Sequence, residues 1–381
     1  MRTTTSIHDL PTPALLIDHD ILERNLTTMQ DRANTLGVAL RPHIKTHKCI
    51  EIANQQLELG ARGITVSTFY EAEHFAAAGF NDITWAFPLP PVYAPKVAEL
   101  YEKSRIRIVV DSLEAREHID NIAQVTGQRI HVWLKVDCGY HRAGVDPRSS
   151  LAEELLRSLS ESKVLIFDGI LSHSGQSYNA HNRAEILAYA EQERFVMIEF
   201  AERMREKGYN VPMISIGSTP VMSVAENLKG IDEGRPGNYA FYDYTQVMLG
   251  SCSIADCALT VLASVISHQP GASYFITDAG ALALSKDPGP THIRNDMDMG
   301  IIYEDYERKR LHPHIHYRTL SQEHGKVVTV DPRFIEGKFK VGDRVRILEH
   351  HSCLTAANFD QYYIVRGEEI VDEWKILRGR V

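Results

Sequence analysis

The sequence predicts an α/β chain: a (β/α)8 barrel of the TIM type over residues 1–250, then a mostly β domain over residues 251–381. Three observations lead there. Eight short apolar runs alternate with helix-period segments across about 200 residues, as the units of a barrel do. Several runs, such as Ile106, Ile108, Val109 and Val110, are almost continuously apolar, as parallel strands covered on both faces must be. Beyond about Gly250 the long helical periods stop and β-rich segments take over.

The elements follow in order. Pro11-Thr12-Pro13-Ala14 is a rigid start to the apolar Leu15-Leu16-Ile17. Asp18 or Asp20 caps a helix running to Leu36, with Ile21, Leu22, Leu26, Met29 and Ala33 near one face, and Gly37 ends it. Strands are expected at 38–42, 63–67, 82–87, 106–111, 130–137, 165–172, 212–217 and 230–233. Helices are expected at 48–60, 70–79, 92–104, 113–125, 149–160 and 183–208. In the second domain, strands are expected at 257–266, 274–278, 326–330, 344–348 and 361–365, and the polar region 286–320 reads as a long loop able to cover a site.

Composition narrows the function. The chain has 381 residues, 44% hydrophobic and 24% charged, which is an ordinary globular make-up. A net charge of −9 and a pI of about 6.1 argue against nucleic-acid or anionic-membrane binding. No run approaches the roughly 18 apolar residues of a membrane span, and the first residues lack the apolar core of a leader. Five scattered cysteines imply no disulfide framework and point to a reducing, cytoplasmic setting. Neither a Gly-x-Gly-x-x-Gly nor a Walker pattern is present, which disfavours a dinucleotide-binding sheet.

Barrel active sites lie at the carboxyl ends of the strands, and the unusual residues fall there. Lys45, in Arg41-Pro42-His43-Ile44-Lys45-Thr46, follows the first expected strand. Singly it is an ordinary loop lysine. At this position a partly desolvated amine suits a Schiff base. Arg142 follows the fifth strand, His173 the sixth, Gly217-Ser218-Thr219-Pro220 the seventh, and Gly234-Arg235-Pro236-Gly237-Asn238 the eighth. The last two loops are where barrels bind phosphate, and Gly217-Ser218-Thr219 offers backbone N–H groups and hydroxyls. In the second domain, His351 and Cys353 supply an imidazole and a thiolate, a pair suited to zinc or a similar ion with positions left open. The alternation of His312, His314 and His316 fits a loop or exposed strand better than a metal site.

Together these residues resemble the pyridoxal-phosphate enzymes grouped with D-serine dehydratase, D-threo-3-hydroxyaspartate dehydratase and D-threonine aldolase, built on the alanine-racemase-like barrel. The motifs are Pro11-Thr12-Pro13-Ala14 with Asp18, Arg41–Thr46, Gly63–Thr68 with Glu71 and Glu73, Gly217–Pro220, Gln322–Gly325 and His351–Cys353. The resemblance implies that Lys45 holds pyridoxal 5'-phosphate as a Schiff base. It places Arg142 near the phenolic oxygen, His173 and Tyr178 near the ring, and Arg235 or Tyr239 at the pyridine nitrogen. Ser218, Thr219, Gly237 and Asn238 would bind the phosphate, and His351 and Cys353 a divalent metal (zinc, manganese, cobalt or magnesium). It further implies a homodimer.

The implied activity is dehydration of a β-hydroxy D-amino acid, such as D-threo-3-hydroxyaspartate or D-serine, to a keto acid and ammonia. Lys45 takes the Cα proton and the metal helps hydroxide leave. The alternatives are retro-aldol cleavage of the D-threonine aldolase kind, and a barrel that carries the cofactor without catalysis. A second substrate carboxylate would need a nearby cation, which the sequence does not locate.

Overall fold

The structure is a computed structural model that describes residues 5–379. The residues read above for a leader, 1–4, lie outside it. The chain forms two compact units, one spanning Thr27–Gly237 and the other Asn238–Arg378 together with the N-terminal residues up to Leu26.

The first unit is an eight-stranded parallel sheet, ordered β2 (Ala39–Leu40), β9 (Glu233–Gly234), β8 (Met213–Ile216), β7 (Leu165–Leu171), β6 (Ile130–Lys135), β5 (Arg105–Val110), β4 (Asp82–Pro88) and β3 (Ile64–Val66). A parallel bridge between His43 and Thr65 joins its two ends. There Ile44 N–H donates to the Thr65 carbonyl at 2.9 Å and Thr65 N–H to the Pro42 carbonyl at 2.8 Å. The barrel therefore closes within the lysine stretch itself. All eight expected strands are present, although the first and last shrink to two residues each.

The helices α2 (Ile50–Glu58), α3 (Phe69–Ala77), α4 (Ala94–Tyr101), α5 (Leu113–Thr126), α6 (Ser150–Ser160) and α7 (Arg183–Glu206) follow the expected segments. Their starts obey local chemistry. Thr68 and Glu71 form a capping box, and Ser112, Ser149 and Asn182 each accept a backbone N–H of the first turn.

Apolar and ionic groups both tie the strands. Val109, Trp133 and Leu171, from three neighbouring strands, pack together. Arg41 is fully buried and donates from Nε to Glu233 Oε2 at 2.6 Å, while its Nη1 reaches Asp82. Arg107 also pairs with Asp82, and its Nε lies 3.0 Å from Asp168 Oδ2. Such a buried network is stable only while all its members are present.

The second unit is a ten-stranded sheet with a central order β13 (Arg310–Leu311), β12 (Ile301–Asp305), β16 (Arg344–Leu348), β10 (Leu259–Ser267), β1 (Ala14–Asp18), β17 (Gln361–Arg366) and β18 (Glu369–Lys375). Strands β11 (Tyr274–Thr277), β14 (Ile315–Leu320) and β15 (Gly325–Thr329) branch from β10.

Three expectations are corrected here. The N-terminal strand β1 belongs to this sheet, antiparallel to β10 and parallel to β17, because its Leu15, Leu16 and Ile17 are wholly buried there. The chain passes from one unit to the other after Gly237, earlier than residue 250. Residues 286–320 are not one long loop. Ile302 and Tyr303 are buried on β12, which pairs with β16, and Ile315 and Tyr317 are buried on β14. The polar residues around these few apolar positions mask the strand pattern in the sequence.

Helix α1 (His19–Leu36) starts as expected, with Asp18 Oδ1 accepting Ile21 N–H at 3.2 Å. Among the described residues no helix is long and apolar enough to cross a membrane.

Candidate active site

Lys45 sits where the barrel closes. After Leu40 the chain stays hydrogen-bonded to the β9 side, with Arg41 N–H on the Gly234 carbonyl at 2.9 Å and His43 N–H on the Pro236 carbonyl at 2.8 Å. It then turns, and Lys48 N–H closes on the Ile44 carbonyl at 2.7 Å. Lys45 is carried on this turn, half-buried, and its amine has no hydrogen-bond or ion-pair partner among the described residues.

His173 follows β7. Its Nδ1–H donates to the Gly217 carbonyl at 2.7 Å, which leaves Nε2 bare. Burial, then the charges of Lys45 and Arg142, hold its pKa well below 6.5, so the ring is neutral. His43 is neutral for the same reasons, burial first and then Lys45 and Arg235. Lys45, His43, His173, Arg142 and Arg235 thus act on one another electrostatically.

Arg142 leaves a turn built on Asp137, whose Oδ1 accepts the N–H groups of Gly139, Tyr140 and His141 at 2.9 to 3.0 Å. Its guanidinium is exposed and lies 4.9 Å over the Tyr140 ring, which in turn meets His173 edge-on at 5.9 Å. Tyr178 is half-buried in the short turn Gly175–Asn179.

The loop after β8 is a tight cradle. Gly217 has a φ of +144°, and a Cβ there would stand 2.6 Å from the Arg235 nitrogen. Ser218 caps the short helix α8 (Thr219–Val224), and its hydroxyl lies 2.9 Å from that of Ser177. Thr219 Oγ1 accepts Gly237 N–H at 3.2 Å. A Cβ at Gly237 would come within 2.7 Å of the His43 carbonyl, so this glycine lets the loop after β9 lie against the lysine stretch.

Arg235 is buried, its guanidinium on the Ser215 hydroxyl and the Ser172 carbonyl. Burial lowers its pKa to about 10 against the pull of Glu233 and Glu193, and it stays charged. Glu193 Oε1 accepts the Ser172 hydroxyl at 2.7 Å and the Gly217 N–H at 3.4 Å, bracing the cradle from behind.

The second unit gathers the remaining expected residues. His351 and Cys353 stand at the start of α11 (Ser352–Ala356), each half-buried. His351 Nδ1–H donates to Asp287 Oδ2 at 2.8 Å. Burial pushes the His351 pKa down, but hydrogen bonds to Asp287 and to Cys353 outweigh it and raise it to about 11. The imidazole and thiol are thus within hydrogen-bond reach of each other. Buried Asn238 donates to Asp243 Oδ2 at 2.6 Å and Ser352 Oγ at 2.8 Å, with Cys353 Sγ at 3.9 Å. Tyr239 is fully buried.

The His-rich run is occupied otherwise. His316 Nδ1 lies 2.8 Å from Asp298, and His314 stacks on Phe334 with centroids 3.9 Å apart.

Sequence reasoning missed Asp287, Glu193 and Lys135. Asp287 lies in Asp-Pro-Gly-Pro, whose local signal is only a turn. Glu193 is lost within the long charged helix α7. Lys135 did carry a signal, a lysine ending the apolar run Val132-Trp133-Leu134.

Residues 17–245 match the family model of the alanine racemase N-terminal domain, and residues 258–365 that of a serine dehydratase domain. The chain is 36% identical to D-serine dehydratase of Dictyostelium discoideum, covering 97% of each chain. It is 36% identical to D-threo-3-hydroxyaspartate dehydratase of Delftia sp. strain HT23, over 97% of this chain and 98% of that one. The D-threonine aldolase of Arthrobacter sp. is 29% identical over 96% of this chain and 92% of its own. The solved D-threo-3-hydroxyaspartate dehydratase from Delftia sp. HT23 superimposes with a TM-score of 0.91 at 35% identity, covering 98% and 99% of the two chains. A cysteine-to-alanine variant of that dehydratase, at a TM-score of 0.92 and 35% identity, is in a metal-free form and covers the same shares. Alanine racemase from Bacillus anthracis shares the fold at a TM-score of 0.69 and 12% identity, over 97% of this chain and 98% of that one.

Proposed function

Because the chain belongs to the family that joins an alanine racemase N-terminal domain to a serine dehydratase domain, we propose that it is a pyridoxal-phosphate- and divalent-metal-dependent lyase. It removes water from β-hydroxy D-amino acids, D-threo-3-hydroxyaspartate or D-serine, giving a keto acid and ammonia. The single observation that carries the cofactor assignment is Lys45, an unpartnered amine on the closing turn of the barrel beside a glycine-walled cradle.

The residues fit the cofactor. Lys45 Nζ is free for a covalent bond to it. We assign the phosphate to the loop of Ser218 and Thr219, with their hydroxyls, between Gly217 and Gly237, where added side chains would collide. Asn238 is expected to join them. Arg142, His173, Tyr178, Arg235 and Tyr239 are expected around the ring. Bound there, the cofactor supplies an electron sink for the carbanion at the substrate Cα. Lys45 Nζ accepts the Cα proton. Neutral His173, pinned through Nδ1 to Gly217, presents a fixed uncharged face.

The donor set of the second unit fits a divalent ion. Asp287 accepts the Nδ1–H of His351, so Nε2, on the side of the Cys353 thiol, is the nitrogen that would bind an ion once it gives up its proton. The ion supplies Lewis acidity to a β-hydroxyl that would otherwise leave poorly. Zinc, manganese, cobalt and magnesium are the candidates, and a thiolate ligand favours zinc or cobalt over magnesium. We read the enzyme as a homodimer acting in the cytoplasm, in keeping with five free cysteines.

Incubation with D-threo-3-hydroxyaspartate, D-serine and D-threonine, with and without added metal, tests the reading. Ammonia and a keto acid, lost on chelation, are expected. Glycine with no ammonia would mean aldol cleavage instead.

A further inference from the structure

We propose that Lys135 is the binding site for a carboxylate of the substrate. This rests on the dehydratase reading above and names a specificity-determining residue for it.

Lys135 ends β6, whose Val132, Trp133 and Leu134 are wholly buried, and is itself only 4% exposed. It stands at the carboxyl end of its strand, the rim that also carries Lys45, Arg142, His173 and Arg235. A buried ammonium normally requires a counter-ion, since its desolvation costs several kcal/mol. Lys135 has none. Among the described residues no hydrogen bond or ion pair reaches its amine.

Asp111 acts on Lys135 without touching it, and the carboxylates of the barrel interior are held by other groups. Asp111 Oδ2 accepts Gly144 N–H at 3.0 Å. Glu233 holds Arg41 at 2.6 Å and Ser215 at 2.7 Å, and Glu193 holds Ser172 at 2.7 Å. After burial, the charges that act most on Lys135 are those of Arg235 and Arg142, ahead of the opposing pull of Asp111. His173 feels Lys45, Arg142 and Lys135 together, which places the three around one imidazole. Of the two unpartnered lysines at these strand ends, Lys45 has a covalent role and Lys135, unlike exposed Arg142, is buried.

An excess of positive charge in a water-poor rim favours an anionic ligand. A compact ammonium on a flexible stem suits a carboxylate as a point charge. Burial, then Arg235 and Arg142, lower the amine to about 8, so it is still mostly charged at neutral pH. An arriving carboxylate would offset that strain. The sequence calls for such a cation if the substrate carries a second carboxylate, and the fold supplies it.

The test is steady-state kinetics of the holoenzyme on D-threo-3-hydroxyaspartate and D-serine, with Lys135→Met and Lys135→Arg. Malonate serves as a carboxylate competitor. Losing one charge-assisted contact raises KM about 10- to 100-fold, with a smaller change in kcat. A rise on both substrates assigns the α-carboxylate, and a rise on hydroxyaspartate alone the β-carboxylate. Malonate inhibition should weaken in parallel, and Lys135→Arg should recover part of each loss. If Lys135→Met does not fold, Lys135→Gln carries the same comparison. KM values and malonate inhibition within about twofold of the parent, in a variant that keeps its cofactor absorbance, overturn the proposal. If the parent turns over neither substrate, the dehydratase reading fails instead, and malonate titration of the cofactor absorbance still reports on Lys135.

Discussion

Asp287 Oδ2 and His351 Nδ1 lie 2.8 Å apart, and this one hydrogen bond decides which nitrogen of His351 is free. Both residues belong to the second unit, yet 64 positions separate them in the sequence. Asp287 is itself fixed, because its Oδ1 accepts the Gly289 N–H at 2.8 Å. Replacing Asp287 by Asn removes the charge that holds the Nδ1 proton. Metal affinity should fall about 10- to 100-fold. Calorimetric titration of the metal-stripped protein checks this, and the absorbance of the lysine-bound cofactor should not change.

Lys45→Ala should abolish the visible cofactor absorbance and all turnover. Stability should change by no more than about 1 kcal/mol, because the amine holds no partner in the fold. Spectra and urea unfolding of the same preparation separate the two effects. A variant that kept either the absorbance or activity would remove Lys45 from the chemistry.

Gly237→Ala tests the cradle. The added methyl would meet the His43 carbonyl at 2.7 Å and the His43 Cβ at 3.0 Å. The phosphate loop and the lysine stretch must then move apart. Overpacking of this kind costs about 1–3 kcal/mol, and affinity for pyridoxal phosphate should weaken with it. Denaturation midpoints and cofactor titration measure both. An unchanged cofactor affinity would dissociate Gly237 from phosphate binding.

Stability should fall as pH drops below about 6.5. His47 is fully buried, accepts Cys49 N–H on Nδ1 at 3.1 Å, and is held down by burial to about 3. Between those values the unfolded chain binds a proton at His47 that the folded chain refuses. Unfolding is therefore favoured as pH falls, by about 1.4 kcal/mol per pH unit for each such histidine. His43 and His173 are depressed in the same direction. His47→Gln should flatten the slope between pH 6.5 and 5 by about one proton, read from urea midpoints at several pH values. An unchanged slope would mean that His47 is not the group responsible.

The sequence by itself determined the barrel and its chemistry. Eight apolar runs, buried on both faces, can only be parallel strands covered by helices, and their carboxyl ends put Lys45, Arg142, His173, Ser218 and Arg235 on one rim. His351 and Cys353 were visible because two good ligands stand two positions apart. Tertiary structure decided what has no local pattern. The apolar run Leu15-Leu16-Ile17 precedes the eight barrel strands, and its residues are buried between β10 and β17 of the other sheet. Strands β12 and β14 are hidden in a polar sequence because few of their residues are buried. Asp287 reaches His351 from 64 positions away, and Lys135 meets no hydrogen-bond or ion-pair partner among the described residues, which is equally a fact of folding. Spacing reveals groups close along the chain, whereas a buried charge is paired or left unpaired by neighbours that only the closed fold brings near.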